Sequence, residues 1–291
     1  MVIVTYLAII FASVTQSAAA KLYGRRSGDA ATFNLVKAGT ATALFALMAI
    51  GGFTLHLPTV LWGLAYGTSM AASMYAGYRA LCLGPMAPTG MLVSFSVVLP
   101  LLWGLTVGKE RLTPLQLPGL LLLLGAMLLV NADKLLRPRE ESTPQSRGGR
   151  YGLWLLFVGI TFFCNGTGAI LQKQYGVHYP EGYPREFMLF AMLLCAAVFG
   201  IRSSVRRGHG TEKSARGIGL GALAGVAMGL ANYLTLVLAG LENASLLFPL
   251  ISAGTLLGAL LCGRLVLKEK LKANHYAALA LGMLAIVFLK L

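Results

Sequence analysis

Residues 59–81 read TVLWGLAYGTSMAASMYAGYRAL, and residues 217–239 read GIGLGALAGVAMGLANYLTLVLA. Each stretch is long enough to cross a bilayer, for which about 20 mostly apolar residues suffice. Laid over one another at an offset of 158, Gly63, Gly67 and Ala71 fall on Gly221, Gly225 and Gly229, and Tyr75 falls on Tyr233. Small residues four apart form a stripe along one helix face. In lipid such stripes let helix backbones approach closely, because packing drives association there. Bundle packing is the expected role of these glycines.

Outward from these stretches the echo continues in order. Lys21-Leu22-Tyr23-Gly24 returns as Lys173-Gln174-Tyr175-Gly176, Lys109-Glu110-Arg111-Leu112 as Lys268-Glu269-Lys270-Leu271, and Leu124-Gly125 as Leu281-Gly282. Reading from charge to charge gives ten apolar spans: 2–20, 30–53, 59–81, 86–107, 115–132, 151–172, 186–202, 217–239, 243–265 and 274–290. The seventh is the weakest, short and preceded by Tyr179-Pro180-Glu181-Gly182-Tyr183-Pro184. The expected architecture is therefore an all-α integral membrane protein of ten transmembrane helices. Residues 1–132 form a first five-helix repeat, 133–150 a polar linker, and 151–291 a second repeat. Five is odd, so the second copy inserts inverted, the usual plan of a secondary transporter.

Composition agrees. The 291 residues are 57% hydrophobic and 12% charged, with a mean hydropathy of +0.73. A soluble domain is roughly 25% charged, and 34 charged residues (24 basic, 10 acidic) cannot skin a 30.8 kDa globule. A net charge of +14 would suggest nucleic acid in a soluble chain. Here the basic residues occupy gaps between apolar runs, as on the cytoplasmic face of a membrane protein. Cys82, Cys164, Cys195 and Cys262 are isolated in apolar stretches and read as packing residues. The first span lacks a basic leader segment, so it is read as a mature helix and not a signal peptide.

Ten spans put all odd-numbered connections on one side. Of 24 basic residues only Lys109, Arg111, Lys173, Arg185 and Lys290 fall on the other side, leaving 19 with the odd connections. The positive-inside rule then predicts odd connections in the cytoplasm and both termini outside, in a cell inner (plasma) membrane.

Tyr78-Arg79-Ala80-Leu81…Gly84-Pro85 leading to Gly108-Lys109-Glu110-Arg111-Leu112-Thr113, with the echo Leu267-Lys268-Glu269-Lys270-Leu271, resembles the drug/metabolite transporter superfamily, EamA type. The resemblance covers essentially the whole chain. It implies export or exchange of small metabolites through a central cavity. Two departures stand out: members of this length usually keep both termini cytoplasmic, and the small multidrug members carry a carboxylate in the first helix. The first span here offers Thr5, Ser13, Thr15, Gln16 and Ser17 and no acid.

Ionisable groups inside a membrane are functional candidates by default. All ten acids fall at span ends or in connections, so no carboxylate is expected where a proton relay or cation site would need one. Lys37 is the basic candidate, about two turns inside span two, where the family commonly has a basic residue. Facing a cavity, its ammonium would attract a carboxylate or phosphate; facing lipid, it would snorkel to the headgroups. In the second repeat Ala191 stands in its place. Arg79 reads as interfacial. Wall candidates are Gln16, Tyr75, Tyr78, Asn165, Asn232 and Tyr233, whose amides and phenols can orient a solute or bond neighbouring helices. Trp62, Trp103 and Trp154 read as belt or packing residues. Glu110 and Glu269 each start the turn into the last helix of a repeat and are expected to cap helix-start N–H groups. Pro100 and Pro249 lie inside spans four and nine, where a missing N–H favours a kink.

No nucleophile–base set, metal spacing or phosphate loop is present, so neither an enzyme nor an ATP-driven pump is expected. The four histidines lie near connections and far apart in sequence. The expected function is secondary-active or facilitative transport of a small anionic or zwitterionic metabolite, amino-acid-like, by alternating access. Two alternatives stay open: export of hydrophobic or quaternary cations held by aromatic faces, and a lipid-handling or structural membrane subunit. Expected partners are the small-molecule substrate and membrane lipids, with no cofactor, no metal and no nucleic acid, in a monomer or homodimer.

Overall fold

The computed structural model describes residues 2–24, 30–83, 89, 92–136, 147–180, 182–205, 215–266 and 273–290. Among them the chain is all helical. The helices are α1 (Val2–Gly24), α2 (Ala30–Ala49), α3 (Leu57–Leu83), α4 (Val98–Thr106), α5 (Gln116–Leu136), α6 (Arg147–His178), α7 (Pro184–Val205), α8 (Ala215–Ala239), α9 (Ala244–Leu265) and α10 (Ala273–Lys290). A single 3₁₀ turn, Phe95–Val97, leads into α4.

Six of these helices are long and apolar enough to cross a membrane: α1, α2, α6, α7, α8 and α9. Leu92–Thr106, Gln116–Leu129 and Asn274–Leu289 are shorter apolar helices. Two sequence expectations change here. The seventh span, read as the weakest, is a 21-residue apolar helix over Pro184–Ser204. Pro184 opens it, since a proline's missing N–H is harmless at a helix start. The third span is instead the one set apart. At 27 residues it is long, but with Thr59, Tyr66, Thr68, Ser69, Ser73, Tyr75, Tyr78 and Arg79 along it, it is not among the six apolar enough to span.

The exterior suits lipid. Phe11 is 75% exposed, Ile201 69% and Leu121 63%, and large apolar side chains face outward along most helices. A surface of this kind in water would be an aggregation site; in a bilayer it is the solvated face.

The chain packs as two compact units, and each draws on both halves of the sequence. Unit one is Met1–Ala71 with Leu171–Glu242; unit two is Ala72–Ile170 with Asn243–Leu291. Helices α3 and α6 therefore each contribute one half to each unit.

In unit one, α1 lies on α8 through Ala12 with Ala227 and Ala231, and Ala19 with Ala224. Helix α2 packs on both α7 and α8. The glycine stripes make these approaches possible. A Cβ on Gly63 would stand 2.7 Å from Phe187 O, and one on Gly67 would stand 2.7 Å from Ala191 O. On α8, a Cβ on Gly221 would strike Val36, one on Gly225 the Lys37 carbonyl, and one on Gly229 would meet Phe45 at 3.2 Å. Both pairings advance in step, so α3 runs parallel to α7 and α8 parallel to α2. The echoed Tyr-Gly motifs also do the same work twice: the Tyr23 and Phe33 rings lie 4.7 Å apart, and those of Tyr175 and Phe187 lie 4.6 Å apart.

In unit two, α5 pairs with α10, where a Cβ on Gly119 would stand 2.8 Å from the Phe288 Cβ. Helix α9 packs on α4 and α10, and Ala80 of α3 meets Trp154 and Val158 of α6. Trp154 is internal and not a belt residue, its Nε1 donating to Thr89 Oγ1 at 2.8 Å. Pro100 sits in the first turn of α4, directly after the 3₁₀ turn, so its missing N–H falls where the helix is already changing pitch. Pro249 lies inside α9.

Glu110 caps a helix, but not the one the sequence suggests. Its Oε1 accepts the Ala244 N–H at 2.8 Å and its Oε2 the Ser245 N–H at 2.8 Å, so it closes the start of α9. The N-cap residue Asn243 contributes no side-chain bond there. The turn into α5 is closed locally by Gln116, whose Oε1 accepts the Thr113 N–H at 3.0 Å. Lys109, at φ 50°, turns the chain after α4, and a Cβ on Gly104 would collide with the Glu110 carboxylate. Glu269 lies outside the described residues. Ala244 and Ser245 are fully buried, so Glu110→Ala strands two donors. We expect a loss of about 1–3 kcal/mol, with Glu110→Gln losing less because it keeps one acceptor. Equal losses for the two variants in thermal unfolding would refute the capping role.

Candidate functional site

Lys37 lies two turns into α2, on the stripe Phe33, Lys37, Ala41, Phe45. The Gly221–Gly225–Gly229 face of α8 presses against this seam. Because Gly225 brings α8 onto the Lys37 carbonyl, the lysine backbone is sealed between helices and its side chain must run inside the unit. It is 8% exposed. Its Nζ lies 5.9 Å from the centroid of the Phe33 ring. Among the described residues it meets no carboxylate and no hydrogen-bond acceptor. A buried ammonium held only by a ring face is short of one strong interaction, and an anion would supply it.

Unit one also carries polar groups on α7, α3, α6 and α8. The buried Cys195 thiol donates to Gly67 O at 3.4 Å and lies within electrostatic reach of both Lys37 and Tyr66. Tyr66 donates to Asn232 Oδ1 at 2.7 Å, and Asn232 Nδ2 donates to Met228 O at 2.8 Å. Gln172 Nε2 donates to Asn232 O at 3.3 Å. Tyr233 packs on Phe45, with ring centroids 6.1 Å apart. Gln16 falls between Ala12 and Ala19 on the face of α1 that meets α8, partly exposed and without a hydrogen bond among the described residues.

Of the residues singled out from sequence, unit one thus holds Lys37, Gln16, Asn232 and Tyr233. Unit two holds Tyr75, Tyr78 and Asn165. There Tyr75 meets the Phe157 ring edge-on at 6.3 Å. Asn165, itself exposed on α6, accepts the Ser73 hydroxyl. Tyr78 is half-buried. Arg79 does more than an interfacial residue would: its guanidinium lies over the Phe157 ring at 5.6 Å, and its Nε is enclosed without a partner.

Sequence reading passed over Tyr66 and Gln172, which lock Asn232. It also passed over a second polar group in unit one. Glu186, read as a span-end acid, is 1% exposed. Its signal was faint: an acid two residues after a helix-opening proline normally reads as a solvated first-turn carboxylate. Near it, His56 Nδ1 pairs with Thr59 Oγ1 at 2.9 Å, and Thr59 Oγ1 pairs with Tyr175 Oη at 2.9 Å. Among the described residues no group of His, Cys, Asp and Glu is arranged to hold a metal ion.

No protein-family model matches the chain, and no curated protein matches its sequence. The fold is recurrent, with 29 chains of solved structures matching it. One, a crystal structure described only as that of a protein, covers 98% of this chain with 94% of its own length at a TM-score of 0.78 and 14% identity. At that identity the likeness carries the fold alone.

Proposed function

We propose that this chain is a transporter of the drug/metabolite kind. Its ten helices would cross the inner (plasma) membrane as two inverted five-helix repeats, with the odd-numbered connections cytoplasmic. The doubled seams support the repeat: Gly67 of the first repeat against Ala191 of the second answers Gly225 of the second against Lys37 of the first, with a Tyr–Phe ring pair beside each. The substrate is a small organic solute with a carboxylate or phosphate, amino-acid-like, exported or exchanged by alternating access. The observation that carries the substrate class is Lys37, a buried cation without an anionic partner among the described residues. Asn232, held by Tyr66, supplies an oriented amide on the facing helix.

Counterflow in liposomes tests this reading. Protein-containing vesicles preloaded with unlabelled solute are expected to accumulate labelled amino acids or small carboxylates, and empty vesicles are not. Accumulation of quaternary ammonium compounds alone, or of nothing in a broad panel, would refute it.

A further inference from the structure

Unit two holds a cation of its own. Helices α3 and α6 meet there along one seam: Ser73 donates to Asn165, a Cβ on Gly77 would stand 3.4 Å from Thr161 Cγ2, and Ala80 packs on Val158. The contacts climb α3 as they descend α6, so within this unit the two helices are antiparallel. Arg79 lies at this seam. Its guanidinium carbon is 5.6 Å from the centroid of the Phe157 ring, and Tyr75, one turn earlier on α3, meets the same ring edge-on.

A guanidinium carries five N–H donors in a planar fork and no acceptor. Arg79 makes no hydrogen bond among the described residues, and its Nε is enclosed without a partner. Its two terminal nitrogens are not enclosed, so they form the edge that a ligand can reach. Neither helix of the seam supplies a counter-charge, since Leu57–Leu83 and Arg147–His178 contain no Asp or Glu. Glu110 of the same unit is spent on the start of α9. A ring face replaces only part of the solvation that a buried cation loses. The missing partner is an oxyanion, whose paired oxygens match the fork.

The seam also sets the depth of the fork. Arg79 stands four residues before the end of α3, and Phe157 seven residues after Arg150 in the first turn of α6. At 1.5 Å per residue these are about 6 and 10 Å along the helix axes. Tyr151, 63% exposed, lies between Arg150 and Phe157, as tyrosines do at bilayer interfaces. The fork therefore falls at the boundary of headgroups and hydrocarbon, within reach of a lipid phosphate. In the orientation proposed above this face is cytoplasmic, because α3 ends and α6 begins at odd-numbered connections. Basic pockets between helices on that side hold anionic headgroups. With no acid beside the fork, nothing there receives the ammonium of a choline or ethanolamine headgroup, whereas phosphatidylglycerol brings none.

We infer that Arg79, laid on Phe157, is a binding site for the phosphate of an anionic phospholipid. The inference rests on the ten-span reading for its place in the membrane, and on no transported solute.

The test is native mass spectrometry of the full-length protein from detergent, titrated with phosphatidylglycerol or with phosphatidylcholine of the same chains. Wild type is expected to bind its first phosphatidylglycerol at least about tenfold more tightly than phosphatidylcholine, the scale of one hydrogen-bonded charge pair. Arg79→Gln should bind the two lipids alike. Arg111→Gln, which removes an exposed arginine outside the seam, should keep the preference. Arg79→Lys keeps the charge without the fork and should lose most of the preference, so the assignment is decided even if the Gln variant fails to fold. No preference in wild type, or a full preference in either Arg79 variant, overturns the site. Displacement of the first phosphatidylglycerol by excess inorganic phosphate would give the fork to a soluble phosphate and overturn the lipid; retention supports it. Lys37→Ala should keep the preference, and its loss there would move the lipid away from Arg79. Because no solute is present, failure here leaves the Lys37 reading standing, and a chain that moves no carboxylate solute leaves the lipid preference intact.

Discussion

Lys37→Ala is expected to abolish stabilisation by carboxylate solutes while leaving the folded protein in place. A ligand at 100 times its Kd that binds only the folded state stabilises by about 2.7 kcal/mol, and this increment should vanish in the variant. The physical reason lies in the geometry of the ammonium. Lys37 is 8% exposed and meets only the Phe33 face among the described residues, so an incoming carboxylate gains Coulomb attraction at low dielectric and displaces no competing acid. Removing a buried, incompletely compensated charge also relieves desolvation, so the ligand-free variant should be no less stable than wild type. Thermal unfolding in nanodiscs, with and without a panel of carboxylates, phosphates and quaternary amines, reads both effects. Unchanged stabilisation by an acid in Lys37→Ala would remove the anchor; stabilisation by quaternary amines alone would transfer the site to cations.

The second large effect belongs to the seams. Gly67→Ala adds one methyl group 2.7 Å from Ala191 O and 2.8 Å from Ala191 Cα, atoms of another helix's backbone. No rotamer change can yield there; α3 and α7 must separate. Overpacking of this kind costs about 1–3 kcal/mol and occasionally more. Gly225→Ala meets the Lys37 carbonyl and Thr40 Cβ, the latter at 2.9 Å, so it should destabilise and, by shifting α2, weaken carboxylate binding as well. Gly125→Ala and Gly159→Ala are internal controls, since a methyl there finds no atom within 4 Å. They should be neutral or gain up to about 1 kcal/mol from helix propensity. If Gly67→Ala unfolds at the same temperature as Gly125→Ala, the close approach is not what holds the seam.

Much of the helical layout was legible because lipid imposes a coarse rule: backbone groups must be satisfied within a helix, so long apolar runs become helices. The glycine stripes at 63, 67 and 221, 225, 229 were legible as packing faces for the same reason. The equivalence of Lys37 with Ala191 was also readable, and the structure gives each the same neighbour, a glycine of the parallel helix.

Partner choice was not legible. Glu110 reads as a cap because an acid before a helix start complements exposed N–H groups, yet the helix it closes begins 134 residues later. Periodicity carries no information about such pairings. Burial of a single polar atom is equally hidden. Glu186 occupies a first-turn position that most sequences leave in water, and only the convergence of Thr54, the end of α2 and the Tyr175 turn encloses it. The Tyr66–Asn232 bond likewise depends on two helices far apart in sequence. The sequence by itself therefore determined the solvent, the helices and the faces that could approach, because these follow from composition and spacing along one chain. Only the tertiary structure decided which charge lost its water and which polar atom met which, because desolvation and hydrogen bonding act between elements that sequence order does not bring together.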